Sequence, residues 1–286
     1  MIVHLSRPAS RILTPTGGFL RAFTHSLNPY VGCAFGRGGG CPFCYVRKLA
    51  VAGALAAPWG QWVIAKSNLP ELLEKELFAL QRGGSLAGMR VFMSSATDPY
   101  QGLERRLGLS RAALELFARF GSGRLVVQTR SPLIERDVDL LRALGRRVIV
   151  SLTVETDDER VRRALTPTSP PVASRLQAAG RLRGAGIFVQ LAIAPMLPND
   201  AERFAELVLP VCDRVVVDTY FDGDGSAGAR SRALGIEALY RELGYADWFR
   251  RGAEAQLLAA LGRRLGPSRV LFSCEGFNAP WPREQP

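Results

Sequence analysis

The sequence predicts an α/β protein built of successive strand–helix units around a parallel sheet. Two observations lead there. From residue 64 onward, short β-rich apolar runs alternate with amphipathic helical stretches. At 286 residues, the chain is also long enough to bury a substantial core within one catalytic domain. A composition of 47% hydrophobic and 22% charged residues is that of a globular protein.

The elements follow in order. A leading strand falls near residues 26 to 31, and later strands at Val91 to Ser94, Leu125 to Thr129, Val148 to Thr153, Phe188 to Ala192 and Val215 to Asp218, six in all. Leu69, Leu73, Leu77 and Leu80 mark the first long helix. Leu114, Phe117 and Phe120 mark the next, with Ser110 as its cap. Val138, Leu141 and Leu144 form a stripe that Gly145 closes. Further helices hold Val161 and Leu165 after Asp157 and Asp158, Leu176, Ala179 and Leu182 before Gly186, and Phe204, Leu207 and Val208 after Asp200.

Residues 233 to 265 read as mostly helical, 269 to 274 as a short extra strand, and 278 to 286 as a frayed tail. The organisation expected is an N-terminal flap over residues 1–25, a barrel domain over 26–225 and a mainly helical C-terminal extension over 226–286 packed on the barrel. Periodicity alone does not choose between a closed and an open sheet. In either case the loops leaving the C-terminal ends of the strands form the reactive face. Those ends are polar: residues 94–99, 128–131, 151–156, 190–195 and 218–225.

No run of about 18 uncharged apolar residues occurs, so no membrane span is expected, and a cytoplasmic location is the reading. The formal net charge of +11 favours phosphate-bearing partners, nucleic acid among them. Against a dedicated surface, only Lys48, Lys66 and Lys75 are lysines, and the arginines are scattered. Nothing in the sequence sets an oligomeric state.

Five cysteines in a chain of this length suit metal binding in a reducing compartment better than a disulfide framework. Cys33, Cys41 and Cys44 stand at C-x7-C-x2-C in a glycine-rich loop just after the leading strand. Thiolates held close repel one another unless a metal joins them. Zinc wants four ligands, with Cys212, Cys274, His4 or His25 to supply the fourth. A [4Fe-4S] cluster on three cysteines keeps one iron open for something else.

The segment from Leu27 to Ala50, followed by residues 94–104, 128–141, 150–167 and 185–200, resembles the spore photoproduct lyase-like branch of the radical S-adenosylmethionine (SAM) superfamily. The family spaces its cysteines C-x3-C-x2-C, and here the stretch Gly36 to Gly40 adds four residues while the C-x2-C-aromatic end is intact. The resemblance implies a partial (β/α)6 TIM-like barrel of radical SAM type with a helical C-terminal extension. It also implies an enzyme of lyase or transferase type in which SAM chelates the fourth iron. One electron, from a reductant of flavodoxin or ferredoxin type, then cleaves SAM to methionine and a 5′-deoxyadenosyl radical.

By position in that family, Tyr45 lies beside the adenine and Arg130 meets the SAM carboxylate, with Ser95, Thr97, Asp98, Ser151 and Thr153 as further SAM contacts and Ser131 beside Arg130. Gln128 and Gln190 point toward the same rim. Lys66 and Asn68 resemble a short family motif, and Cys212 reads as a buried helix-end residue. The photoproduct enzyme uses a cysteine hydrogen donor near the end of the second strand, where this chain has Ser94 and Ser95. A serine O–H bond is too strong to replace it. The leading reading is therefore a radical SAM enzyme on another substrate. The alternatives are a nucleic-acid repair lyase with a relocated donor such as Cys274, and a metal-bearing nucleic-acid-binding module without turnover.

Overall fold

The computed structural model describes residues 2–35 and 40–282. The glycine stretch expected to bulge between Cys33 and Cys41 lies outside the described residues, apart from Gly40. In chain order the strands are β1 (Val3–Arg7), β2 (Leu13–Pro15), β3 (His25–Leu27), β4 (Tyr30–Val31), β5 (Trp62–Lys66), β6 (Arg90–Met93), β7 (Arg124–Thr129), β8 (Val148–Thr153), β9 (Val189–Ile193), β10 (Arg214–Val217) and β11 (Val270–Phe272). The helices are α1 (Leu69–Arg82), α2 (Glu104–Leu107), α3 (Leu109–Phe120), α4 (Val138–Leu144), α5 (Glu159–Leu165), α6 (Val172–Gly184), α7 (Ala201–Val208), α8 (Tyr220–Gly223), α9 (Ala229–Ala233), α10 (Ile236–Glu242), α11 (Ala255–Leu265) and α12 (Ser273–Phe277).

The main sheet has eight strands in the order β11-β10-β9-β8-β7-β6-β3-β2. Every pairing from β11 across to β3 is parallel, and only β2 runs against β3. This mixed α/β architecture is the expected partial barrel. The short strand foreseen after residue 269 is β11, which adds a seventh parallel strand beside β10.

Alternation sorts each strand into two faces. Val91, Met93, Leu125, Val127, Val150, Leu152, Leu191 and Val215 pack outward in one core with Leu73 and Leu77 of α1, Phe117 of α3, Leu141 of α4, Leu182 of α6 and Phe204 of α7. Phe92, Val126, Ile149, Ala192 and Val216 face the other way, into the barrel, where Phe23 and Phe277 join them. The leucine stripe of α1 lies as the 3.6-residue period predicts.

Three expectations are corrected. Ser110 is not the cap of α3: Gly108, at φ 63°, precedes the helix, and the Ser110 hydroxyl donates to the Pro99 carbonyl at 2.6 Å. Asp158 and Asp200 do cap α5 and α7, accepting from the backbone of Arg160 and Arg203. The N-terminal segment is extended but not a loose flap, because β1 pairs in parallel with β5, and β2 joins the main sheet. Asn68 explains part of this: its side-chain amide accepts from the Ala9 N–H at 2.8 Å and donates to the Ala9 carbonyl at 2.9 Å. Nor is the C-terminus frayed up to Pro282. Trp281 donates to the Arg146 carbonyl at 2.8 Å, and Arg214 donates to the Pro280 carbonyl at 3.2 Å.

One glycine sets the entry to the cysteine loop. Gly32, at φ +83°, lies against Trp62, whose carbonyl oxygen would be 2.6 Å from an added Cβ and whose ring would overlap it. Gly32→Ala is expected to destabilise the protein by about 2 kcal/mol or more, from overpacking and left-handed strain together. Denaturant unfolding of the variant beside the parent checks this.

Candidate functional site

At the C-terminal ends of the strands lies a cavity of about 400 Å³. Cys33, Cys41 and Cys44 line it, as do Tyr45, Ser94, Ser95, Thr97, Asp98, Gln128, Arg130, Thr153 and Asp218. The reactive face inferred from polar strand ends is therefore a real concavity. It is the parallel sheet that brings these distant segments together.

The cysteine loop is tied down from two sides. The Ala34 N–H donates to the Gln101 side chain at 3.0 Å, and Arg47 donates to the Cys41 carbonyl at 3.1 Å. Tyr30, just before the loop, donates to the fully buried Glu104, which also accepts from the Ser110 N–H at 3.0 Å and pairs with Arg136 at 2.8 Å. Burial pushes the Cys33 thiol up to about 12 and the Cys41 thiol up to about 11, and it raises Cys44 as well. Thiols in such surroundings become ligands when a metal displaces their protons.

Among the described residues no three His, Cys, Asp or Glu side chains stand close enough to share one metal ion. Three thiols that line one cavity are the donor set that a cluster with one open iron would need.

Asp98 organises the wall opposite. Its carboxylate accepts from the Tyr100 N–H at 2.9 Å, the Thr129 hydroxyl at 2.6 Å and the Arg130 N–H at 2.9 Å. It thus locks the end of β6 to the end of β7. Tyr45 donates to the Ser95 carbonyl at 2.6 Å, and the Ser95 hydroxyl accepts from Asn28 at 3.2 Å. Ser131 caps the turn that follows Arg130, accepting from the Leu133 N–H at 3.3 Å. Ser94 has the unusual φ of +81° for a residue with a side chain, and its buried hydroxyl has no hydrogen-bond partner among the described residues. A strained, unsatisfied group on a cavity wall is a marker of a binding position.

Ser151 is the expected contact that the fold sets apart. It is fully buried and does not line the cavity. Its hydroxyl donates to Gln128 at 3.2 Å and accepts from Gln190 at 3.0 Å, and Gln190 in turn accepts from Arg214 at 2.6 Å. These residues are register partners across β7, β8, β9 and β10, so in-register pairing places them side by side inside the barrel. Gln128 alone of the four reaches the cavity wall. Cys212 is buried, and its thiol donates to the Val208 carbonyl at 3.2 Å.

Cys274 does not line the cavity either: its thiol donates to the Phe19 carbonyl at 3.3 Å and accepts from Arg21 at 2.8 Å. Among the described residues, no cysteine beyond the first three faces the cavity.

Two acids lie in strand ends that the sequence marks as part of the reactive face, without a role assigned to either. Asp218 directly follows β10 at 6% exposure, accepts from the Thr219 N–H at 2.9 Å, and faces the cavity. Burial raises its carboxyl to about 7, with Asp222 and Asp224 adding to the effect against the Ser273 and Thr219 hydrogen bonds. The folded state therefore holds a proton that the unfolded chain releases near pH 4. This contribution to stability is fully present below that point and is lost as pH rises through about 7. Asp218→Asn, neutral throughout, is expected to gain on the parent progressively as pH rises from about 4 to about 7, reaching roughly 4 kcal/mol at pH 8 and nearly nothing at about pH 3.5, as read from urea unfolding.

The second group is Glu155 with Arg175, both fully buried. Arg175 donates to Glu155 at 2.5 Å and to the Thr153 carbonyl at 2.9 Å, while Arg130 lies 2.9 Å from the other carboxylate oxygen. Burial opposes ionisation of Glu155, but Arg175 and Arg130 outweigh it and hold the carboxyl below its ordinary range. Arg130 also donates to the Cys41 sulfur at 3.0 Å. Arg130, expected to meet the SAM carboxylate, is thus already anchored between Cys41 and a buried acid.

Comparison with known proteins adds the following. The radical SAM superfamily matches residues 27–209. An uncharacterized protein of Acidianus two-tailed virus is 27% identical over 76% of this chain and 73% of its own length. One of Methanocaldococcus jannaschii is 28% identical over 60% of each chain. One of Mycobacterium bovis is 27% identical over 62% of this chain and 51% of its own, so the chain spans about half to three quarters of these relatives. Among solved structures, spore photoproduct lyase complexed with dinucleoside spore photoproduct superposes with a TM-score of 0.66 at 14% identity, covering 94% of this chain and 81% of that one. A variant of that lyase with bound AdoMet and the same dinucleoside gives 0.65 at 15% identity and the same coverage. At these identities the likeness is one of fold. No helix is long and apolar enough to cross a membrane among the described residues.

Proposed function

The chain belongs to the radical SAM superfamily, and we propose that Cys33, Cys41 and Cys44 hold a [4Fe-4S] cluster whose remaining iron takes SAM, making the protein a SAM-cleaving enzyme. The observation that carries this is the convergence of all three thiols on one strand-end cavity with the polar wall of β6 and β7 facing them. When bound and reduced by one electron, the cluster and SAM supply a 5′-deoxyadenosyl radical that abstracts hydrogen from a substrate. A small reductant of flavodoxin or ferredoxin type is the partner this requires.

The chain's own residues do the positioning. Tyr45, fixed by its bond to the Ser95 carbonyl, presents a ring for the adenine. Ser95, Thr97 and Thr153 supply hydroxyls on the wall, and Asp98 holds the β6 and β7 ends in register rather than acting alone as a ligand. Arg130 keeps N–H groups for a carboxylate because a guanidinium has five donors. The apolar barrel floor of Phe92, Val126 and Ile149 excludes water from below. Ser151 steadies the wall through Gln128 and is not proposed as a contact.

A photoproduct-type reaction needs a hydrogen donor near Ser94, and Cys274 does not line the cavity, its thiol being bonded to the Phe19 carbonyl. We therefore propose a different substrate, and the net charge of +11 supports one bearing phosphate. Anaerobic reconstitution, dithionite reduction and chromatography for 5′-deoxyadenosine from added SAM test the assignment. Equal yields of 5′-deoxyadenosine and methionine are expected. A reconstituted protein that neither binds nor cleaves SAM contradicts it.

A further inference from the structure

Arg130, Glu155 and Arg175 form a buried chain that ends on a cluster cysteine, and nothing in the SAM contacts above requires the outer two. Arg130 reaches Cys41 Sγ at 3.0 Å and Glu155 at 2.9 Å, and Glu155 reaches Arg175 at 2.5 Å. Glu155 and Arg175 are fully buried, whereas the Arg130 side chain keeps 17% exposure, toward the cavity. Phe35 from the cysteine loop lies over the guanidinium, with its ring centroid 5.9 Å away.

We infer that Arg130 and Glu155 act as an opposed charge pair that sets the reduction potential of the cluster, Arg130 raising it through the Cys41 sulfur and Glu155 restraining it. The inference rests on the cluster reading above and deepens it. Reduction adds one electron, and so one negative charge, to a cluster already carrying thiolate charge. An N–H donor and a cation at a ligating sulfur stabilise that reduced form. In a site of low dielectric the effect is strong, since little water screens it. Glu155 offsets part of the Arg130 charge, and Arg175 keeps Glu155 ionised and fixed. The arrangement puts the tuning device on the β7 and β8 ends, outside the cysteine loop itself.

The test is an EPR-monitored redox titration of the reconstituted protein without SAM, so that no carboxylate competes for Arg130. Arg130→Met is expected to lower the midpoint, with the reduced-to-oxidised ratio at the parent midpoint falling about tenfold, or ~59 mV for a one-electron couple. Arg130→Lys keeps the charge and should lie closer to the parent than the methionine variant. Glu155→Gln removes the opposing charge while keeping an acceptor, and should shift the midpoint upward. Opposite shifts support the inference, since a merely structural role moves both variants alike or neither. Should Glu155→Gln fail to fold, the Met and Lys pair decides: equal midpoints in parent, Met and Lys overturn the inference while the cluster reading stands. A parent that assembles no cluster overturns the reading and the inference with it.

Discussion

Cys41→Ala is expected to abolish the cluster's visible absorbance after reconstitution and to cut 5′-deoxyadenosine formation by more than about 100-fold, beyond what loss of an outer-shell partner costs. Cys41 is 6% exposed, buried among the three ligands proposed, and its sulfur accepts from Arg130. Alanine leaves that guanidinium beside a small void and leaves two thiols for four irons. Neither Cys33 nor Cys44 can stretch to replace it, because the Cys44 N–H is fixed to the Cys41 carbonyl at 3.2 Å and the loop is clamped at Ala34. Cys212→Ala serves as the contrast. That thiol sits in the outer core, away from the cavity, so the variant keeps both cluster and turnover. Iron content and product yield on the two variants check the prediction together.

Glu155→Ala should be the most destabilising single change near the site, by about 3–5 kcal/mol, because it leaves two arginines without their shared counter-ion. Arg175 has no exposure through which water could compensate, and two of its nitrogens already lack partners among the described residues. Glu155→Gln costs less, since an amide oxygen still accepts a hydrogen bond. Thermal unfolding of both variants against the parent measures the difference. If Glu155→Ala unfolds with the parent, the ion chain is not holding the β8 end.

The parts of this molecule that were legible beforehand are those written in local pattern. Apolar runs such as Val148 to Val150 announce strands, Leu69, Leu73 and Leu77 announce a helix face, and C-x7-C-x2-C announces a loop whose cysteines line one cavity. Polar residues at strand ends marked the reactive face, since in a parallel sheet those ends share one side. What stayed hidden depends on long-range pairing. Glu155 and Arg175 are 20 residues apart, and nothing local pairs them until β8 and α6 bring them together. Ser151 and Thr153 have the same side-chain parity on β8, yet register with Gln128 and Gln190 binds the first and leaves the second on the cavity. The first strand of the flap was hidden because its partner, β5, lies 59 residues later in register, beyond any local signal.

Asp218 teaches the same lesson from the chemical side. Its place in a polar strand end is legible, but only burial, with Asp222 and Asp224 close by, raises its carboxyl to about 7. That places a group able to hold or release a proton on the cavity wall near neutral pH.

The central claim is that three thiols carry a four-iron cluster, and iron and acid-labile sulfide analysis after anaerobic reconstitution tests it most directly. About four irons and four sulfides per chain are predicted, falling together in Cys33→Ala, Cys41→Ala and Cys44→Ala. One zinc per chain with no sulfide, unchanged when any of the three cysteines is replaced, would contradict the account.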